Sequence, residues 1–180
     1  PTVPAEKFPR PPVSFTDEAG RNIDVAVYDA GPIDDEYEAL VTMYADFDPA
    51  DRAQGVPPNR KGDVREWLDT LMTDEETVNV LAWLDATPVG HGTLVADSDD
   101  CYELAIFVHH PYQGAGIGSQ LIRALLGEGA DRGVDCICLT VERWNNAAVN
   151  LYRGVGFETI RAEHFELEMG LRLRSEEHPS

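Results

Sequence analysis

Residues 113–118 read Gln-Gly-Ala-Gly-Ile-Gly. They lie between the apolar run Cys101 to Val108 and a stretch in which Ile117, Leu121, Ile122, Leu125 and Leu126 recur at helical spacing. Glycine at every second position leaves main-chain N–H groups uncovered at the start of a helix, where unpaired amides and the positive end of the helix dipole converge. That chemistry is phosphate binding. Two familiar phosphate loops do not fit. A dinucleotide loop starting at Gly114 needs glycine or alanine where Ser119 stands, and it opens an early strand–helix–strand unit rather than lying past mid-chain. A nucleoside-triphosphate loop needs a lysine after its last glycine, and the only lysines are Lys7 and Lys61.

Other side chains near this loop in sequence can move protons. Glu103 is a carboxylate in an otherwise apolar strand, which is costly unless it is paired or functional. Burial would raise its pKa toward that of a useful general base; the alternative is an outward-facing residue on a half-solvated strand. His109 and His110 precede Pro111 and are rival bases, or simply solvated. The five histidines and three cysteines have no ligand spacing, so no metal site is expected.

These groups need a sheet and helices to hold them. Asn22 to Tyr28 alternates apolar and polar residues as a strand does. Asp34 to Phe47 carries Tyr37, Leu40, Val41 and Tyr44 at helical spacing behind two acids, a turn-rich segment follows to Pro58, and Lys61 to Met72 reads as a second helix. Val78 to Leu84 and Val89 to Val95 make a hairpin about residues 85–88, and Tyr102 to Val108 is the next strand. Cys136 to Val141 is nearly all apolar, as a strand buried beside a parallel neighbour is, so the glycine loop and its helix form a right-handed crossover. Asn145 to Gly154 is a last helix, with strands at Phe157 to Ile160 and His164 to Met169.

Residues 1–20, broken by Pro9, Pro11 and Pro12, are expected to form an extended arm without regular elements; residues 21–174 form one domain and 175–180 a polar tail. Gly127 and Gly129 fall inside the helix after the loop, each costing roughly 1 kcal/mol relative to alanine. Either that helix ends early or close packing requires them.

At 180 residues the chain can bury a core without disulfides. No run approaches a membrane span and the N-terminus lacks a signal-peptide core. Three unpaired-looking cysteines point to a reducing cytoplasm, with Cys136 and Cys138 as small core residues. The formal net charge is −19, with 12 arginines and 2 lysines. An acidic face for a basic partner would produce such a charge, and so would adaptation to high intracellular salt. The scatter of the acids and the scarcity of lysine favour salt. No basic stripe exists to bind nucleic acid.

Gln113-x-x-Gly116-x-Gly118 resembles the Gln/Arg-x-x-Gly-x-Gly/Ala signature of the GNAT acetyltransferase superfamily. Asn145-x-x-Ala148-x-x-Leu151-Tyr152-x-x-x-Gly156-Phe157 is similar to its second block. Tyr102-Glu-Leu-Ala-Ile-Phe-Val108 followed by Tyr112-Gln113 looks like the acetyltransferase domain of bacterial and archaeal protein-lysine acetyltransferases, although Gln54 to Pro58 departs from their pattern. The resemblance implies a mixed α/β sheet of about seven strands, mostly antiparallel with a central splayed parallel pair, flanked by about four helices. It implies acetyl-CoA as donor, a primary amine as acceptor (protein lysine or small molecule), direct attack in a ternary complex, and a monomer or homodimer.

By the same resemblance, the amides of Gln113, Gly114, Ala115, Gly116, Ile117, Gly118 and Ser119 hold the pyrophosphate. Main-chain N–H groups near Phe107 and Val108 polarise the thioester. Asn145 contacts the pantetheine or caps its helix. Glu103 is the general base, and Tyr152 protonates the leaving thiolate or merely packs. Arg123, Arg143 and Arg153 meet the outer phosphates or pair on the surface. A catalytically silent acyl-CoA-binding or sensory module is the alternative.

Overall fold

A computed structural model describes residues 2–48, 57–58, 60–97 and 100–174. Its strands are β1 (Thr2–Pro4), β2 (Val13–Thr16), β3 (Asn22–Val27), β4 (Val78–Leu84), β5 (Thr87–Ala96), β6 (Tyr102–Val108), β7 (Cys136–Glu142), β8 (Glu158–Ala162) and β9 (Glu166–Arg174). Its helices are α1 (Glu36–Ala45), α2 (Lys61–Thr73), α3 (Ile117–Asp131) and α4 (Asn146–Val155). The sheet runs β1-β9-β7-β6-β5-β4-β3-β2, with β8 also paired to β9. Most pairs are antiparallel; β6 with β7 and β1 with β9 are parallel. The mixed α/β fold with a parallel pair at its centre is the one expected. Most of the turn-rich segment between α1 and α2 lies outside the described residues.

Two strands beyond the expected seven lie within residues 2–16, which corrects the expectation of an arm without regular elements. β1 pairs with the end of β9 and β2 pairs with β3, so each lies along an outer edge. Edge strands tolerate neighbouring prolines because one side of their ladder needs no donors. Between them, Phe8 is buried in the core and the Pro9 carbonyl crosses α3 at Gly127, where a Cβ would lie 2.3 Å from the Pro9 oxygen. A Cβ on Gly129 would meet Leu94 at 2.8 Å. Close packing, not an early helix end, therefore accounts for both glycines.

The cysteine reading also changes. Cys101 and Cys136 form a disulfide across 35 residues, just before the first paired residues of β6 and β7. Cys138 is half-buried. The odd count hid a pair whose members meet only through the crossover, so cysteine usage no longer argues for a reducing compartment.

The sheet carries a core on each face. Alternation along β6 sends Leu104, Ile106 and Val108 toward α3 and α4, and Ala105 and Phe107 toward α1 and α2. The second core holds Tyr44, Phe47, Trp83 and Phe107 but, among the described residues, nothing from β7, β8 or β9. Helices α1 and α2 thus cover one half of their face and leave the other half open. Within that second core His91, fully buried, accepts from the Tyr44 hydroxyl at 2.7 Å through Nδ1 and donates through Nε2 to Asn79 Oδ1 at 2.9 Å. The Asn79 amide donates in turn to the Leu71 carbonyl at 3.3 Å, so the chain of bonds ties α1, β5, β4 and α2 together. Burial pulls the His91 pKa down to about 3, which keeps the ring neutral.

Candidate active site

The site begins where the central parallel pair separates. β6 and β7 are paired only at Tyr102 with Ile137 and Glu103 with Cys138, although both strands run on by several residues. β6 stays with β5 and β7 stays with β9, so the two halves of the sheet diverge. The opening is a cleft of about 710 Å³. Its walls include Glu103 to Val108 on β6, Thr140 to Glu142 on β7, and Asn145, Leu151 and Tyr152 around α4. Phe47 closes one side, and the glycine loop with the first turn of α3 closes the end.

The loop has the conformation its glycines allow. Gly114 and Gly116 take φ of 73° and 89°, left-handed values that a side chain rarely adopts. Gly116 is the N-cap of α3 and supplies no side-chain cap, so the first-turn amides, including those of Ile117, Gly118 and Ser119, stay available to an anion. Gly114, Gly116, Ile117, Gly118 and Ser119 all line the cleft, whereas the buried Ala115 turns away and its carbonyl accepts from the Glu18 amide at 3.0 Å. Gln113 uses its side-chain amide on the Val108 carbonyl at 2.9 Å, which fixes the loop to the end of β6.

Along β6 the amides alternate in direction. The His109 amide donates to Val89 of β5 at 2.9 Å, and the uninterrupted register puts Phe107 on the same parity. The Phe107 N–H therefore faces β5 rather than the cleft, which corrects its place beside Val108 as a donor. Val108 and Ile106 aim their amides into the opening. Residue type alone does not single out Ile106, because the direction of its amide depends on hairpin register, which no local pattern reveals.

Glu103 lines the cleft on the open half of the face but is exposed, so the expected desolvation of its carboxylate is not provided; α1 and α2 reach only to Ala105 and Phe107. Tyr152 is half-buried in the cleft wall, with its ring edge-on to Phe157 at 5.9 Å. Burial raises its pKa, so the phenol holds its proton at neutral pH. Asn145 accepts from the Ala148 amide at 3.2 Å as the N-cap of α4 while also facing the cleft. Capping and lining coexist.

The rival bases turn elsewhere. His109 bonds Asp46 Oδ2 through Nε2 at 2.8 Å and stacks on Phe47 with ring centroids 5.8 Å apart. Asp46, His109 and His110 bring three possible metal-ligand atoms within 4.8 Å of one another, a cluster invisible in sequence because Asp46 comes from α1's C-terminus. Of the arginines expected near the outer phosphates, Arg143 bonds the Glu163 carbonyl and Arg153 bonds Thr159, both in the β8–β9 region, while Arg123 is half-buried on α3.

Comparison with known proteins fits this geometry. A family model described as acetyltransferase (GNAT) family matches residues 38–157. The GNAT domain of S. lividans PAT superposes with a TM-score of 0.73 at 18% identity, covering 95% of this chain and 99% of that one. The yncA protein of Salmonella typhimurium, solved with its cofactor acetyl-CoA, superposes at 0.65 and 16% identity, covering 88% of this chain and 96% of that one. A thialysine N-epsilon-acetyltransferase of Bos taurus is 34% identical over 55 residues, which is 31% of this chain and 32% of that enzyme. The chain thus matches about a third of that relative's length. No helix among the described residues is long and apolar enough to cross a membrane.

Proposed function

The chain belongs to the acetyltransferase (GNAT) family, and from that premise we propose that it moves an acetyl group from acetyl-CoA to a primary amine by direct attack in a ternary complex. The observation that carries this is the two-pair contact of β6 with β7, opening on uncovered amides at the start of α3. The donor supplies an activated thioester. First-turn amides of α3 hold its phosphates, and the cleft-facing amides of β6 hold its extended arm as an added strand is held. An amide of Val108 or Ile106 is oriented to stabilise the oxyanion as the amine attacks. Glu103, on the open half-face, takes the proton from the incoming ammonium, and the Tyr152 phenol delivers one to the departing thiolate.

The acceptor enters from the side that α1 and α2 leave open. The proposal spans protein lysine and small amines, because among the described residues that side carries Glu103 of β6 with Thr140 and Glu142 of β7, which select no one amine. A monomer or homodimer in a salt-rich cytoplasm, where acetyl-CoA is supplied, completes the reading. A Cys101–Cys136 bond that persists there must resist the cell's thiol pool.

The exposure of Glu103 favours one second reading, a silent module that binds acyl-CoA without transfer. Free-thiol release from acetyl-CoA across a panel of primary amines separates the two. Transfer requires one thiol per N-acetylated product with at least one amine; donor binding without release for any amine supports the silent module.

A further inference from the structure

The turn between β2 and β3, residues 17–21, lies far from the glycine loop in sequence and lands on it in the fold. The Glu18 amide donates to the Ala115 carbonyl at 3.0 Å. Arg21 stands over the ring of Tyr112, its Cζ 4.8 Å from the centroid, and Tyr112 lines the cleft. The arginine is aimed by Asp17, whose buried carboxylate accepts from the Ala19 amide at 3.0 Å, the Arg21 amide at 2.8 Å and Arg21 Nε at 2.7 Å. Desolvation pushes the Asp17 carboxyl up, but the backbone and side-chain bonds from Arg21, with that from Ala19, outweigh it and hold the pKa below the usual range.

This is a built support rather than a loose surface contact. Only the Nε edge of Arg21 is used by Asp17, its side chain keeps 26% exposure, and the planar fork leaves the Nη groups to meet an anion. Residues 111–120, which form the loop and its helix start, contain no lysine or arginine of their own. In a chain of net charge −19 a cation beside an amide cradle is a scarce resource. We propose that Arg21 completes the donor site by contacting a phosphate of CoA, with Asp17 as its positioning residue. This rests on acetyl-CoA being the donor. Glu18 acts with the opposite sign: its carboxylate lies beside Gly116, 3.0 Å from where a Cβ would stand, and opposes an incoming phosphate.

The test titrates CoA and dephospho-CoA into the full chain as wild type, Arg21→Ala, Arg21→Lys and Glu18→Gln, with steady-state kinetics alongside. Arg21→Ala weakens CoA about ten-fold, the scale of a charge-assisted hydrogen bond, and raises donor KM while kcat and acceptor KM stay within about two-fold. Arg21→Lys recovers part of the loss, and Glu18→Gln tightens CoA by a few-fold. An equal loss for dephospho-CoA assigns the contact to the pyrophosphate, and a loss confined to CoA assigns it to the 3′-phosphate. Equal CoA affinity in wild type and Arg21→Ala overturns the proposal. So does a variant that lowers melting temperature and kcat together without rescue by lysine. A wild type that binds neither ligand overturns instead the donor reading beneath it.

Discussion

The two sides of the cleft are made in different ways. The proposed donor side is main chain: amides on a short loop, a helix start and one strand edge, contributed by residues 106–119. The proposed acceptor side is made of side chains, Glu103, Thr140 and Glu142, brought together from two strands on a half-face that α1 and α2 leave open. A backbone site needs a particular run of small residues and therefore leaves a contiguous signature. A side-chain site assembled from distant strands leaves none. The difference teaches why one substrate is readable and the other is not.

The sharpest way to break this division is Glu103→Gln. It is expected to lower kcat about 100-fold while donor affinity stays at the wild-type value, measured by initial rates and CoA titration. A change in donor affinity of similar size would erase the distinction between the two sides.

The scaffold of the acceptor side gives the next effect. Burial holds the folded His91 pKa at about 3 against the ordinary histidine value of 6.5, so the unfolded chain gains a proton that the folded chain refuses. Its contribution is complete above about pH 6.5 and falls by roughly 1.4 kcal/mol per pH unit as pH drops toward 3. Denaturant unfolding at stepped pH should show that slope, and His91→Gln should flatten it.

In the proposed reaction Tyr152 serves the chemistry although it stands in the wall of the cleft. Tyr152→Phe is expected to cut kcat about ten-fold with donor KM unchanged; a change confined to donor KM would return it to packing. The smallest effect is electrostatic. A chain of −19 repels a polyanionic donor, so raising ionic strength from about 0.05 to 0.5 M should lower donor KM about two-fold.

Periodicity in the sequence carried the helices and the central hairpin, which are fixed by contacts close along the chain, and the apolar run at Cys136 to Val141 marked the crossover. What it missed depends on distant partners. β1 exists because β9, far along the chain, offers a free edge; β2 is the exception, a local hairpin with β3 that the prolines before it masked. The disulfide joins residues 35 apart, and the turn at Asp17 to Arg21 meets the glycine loop across most of the sequence. The direction of the Phe107 amide follows from the register of β5. The exposure of Glu103 follows from where two helices stop. In each of the distant cases the deciding surroundings were tertiary.

That the opening between β6 and β7 is the donor site is tested most directly by titrating CoA into the wild type and Gly116→Val. Valine is strained at a φ of 89° and puts a branched side chain against Glu18 at the start of α3. The expected result is one CoA bound per chain in the wild type and at least about 100-fold weaker binding in the variant, with circular dichroism unchanged. Equal binding by both proteins would contradict it.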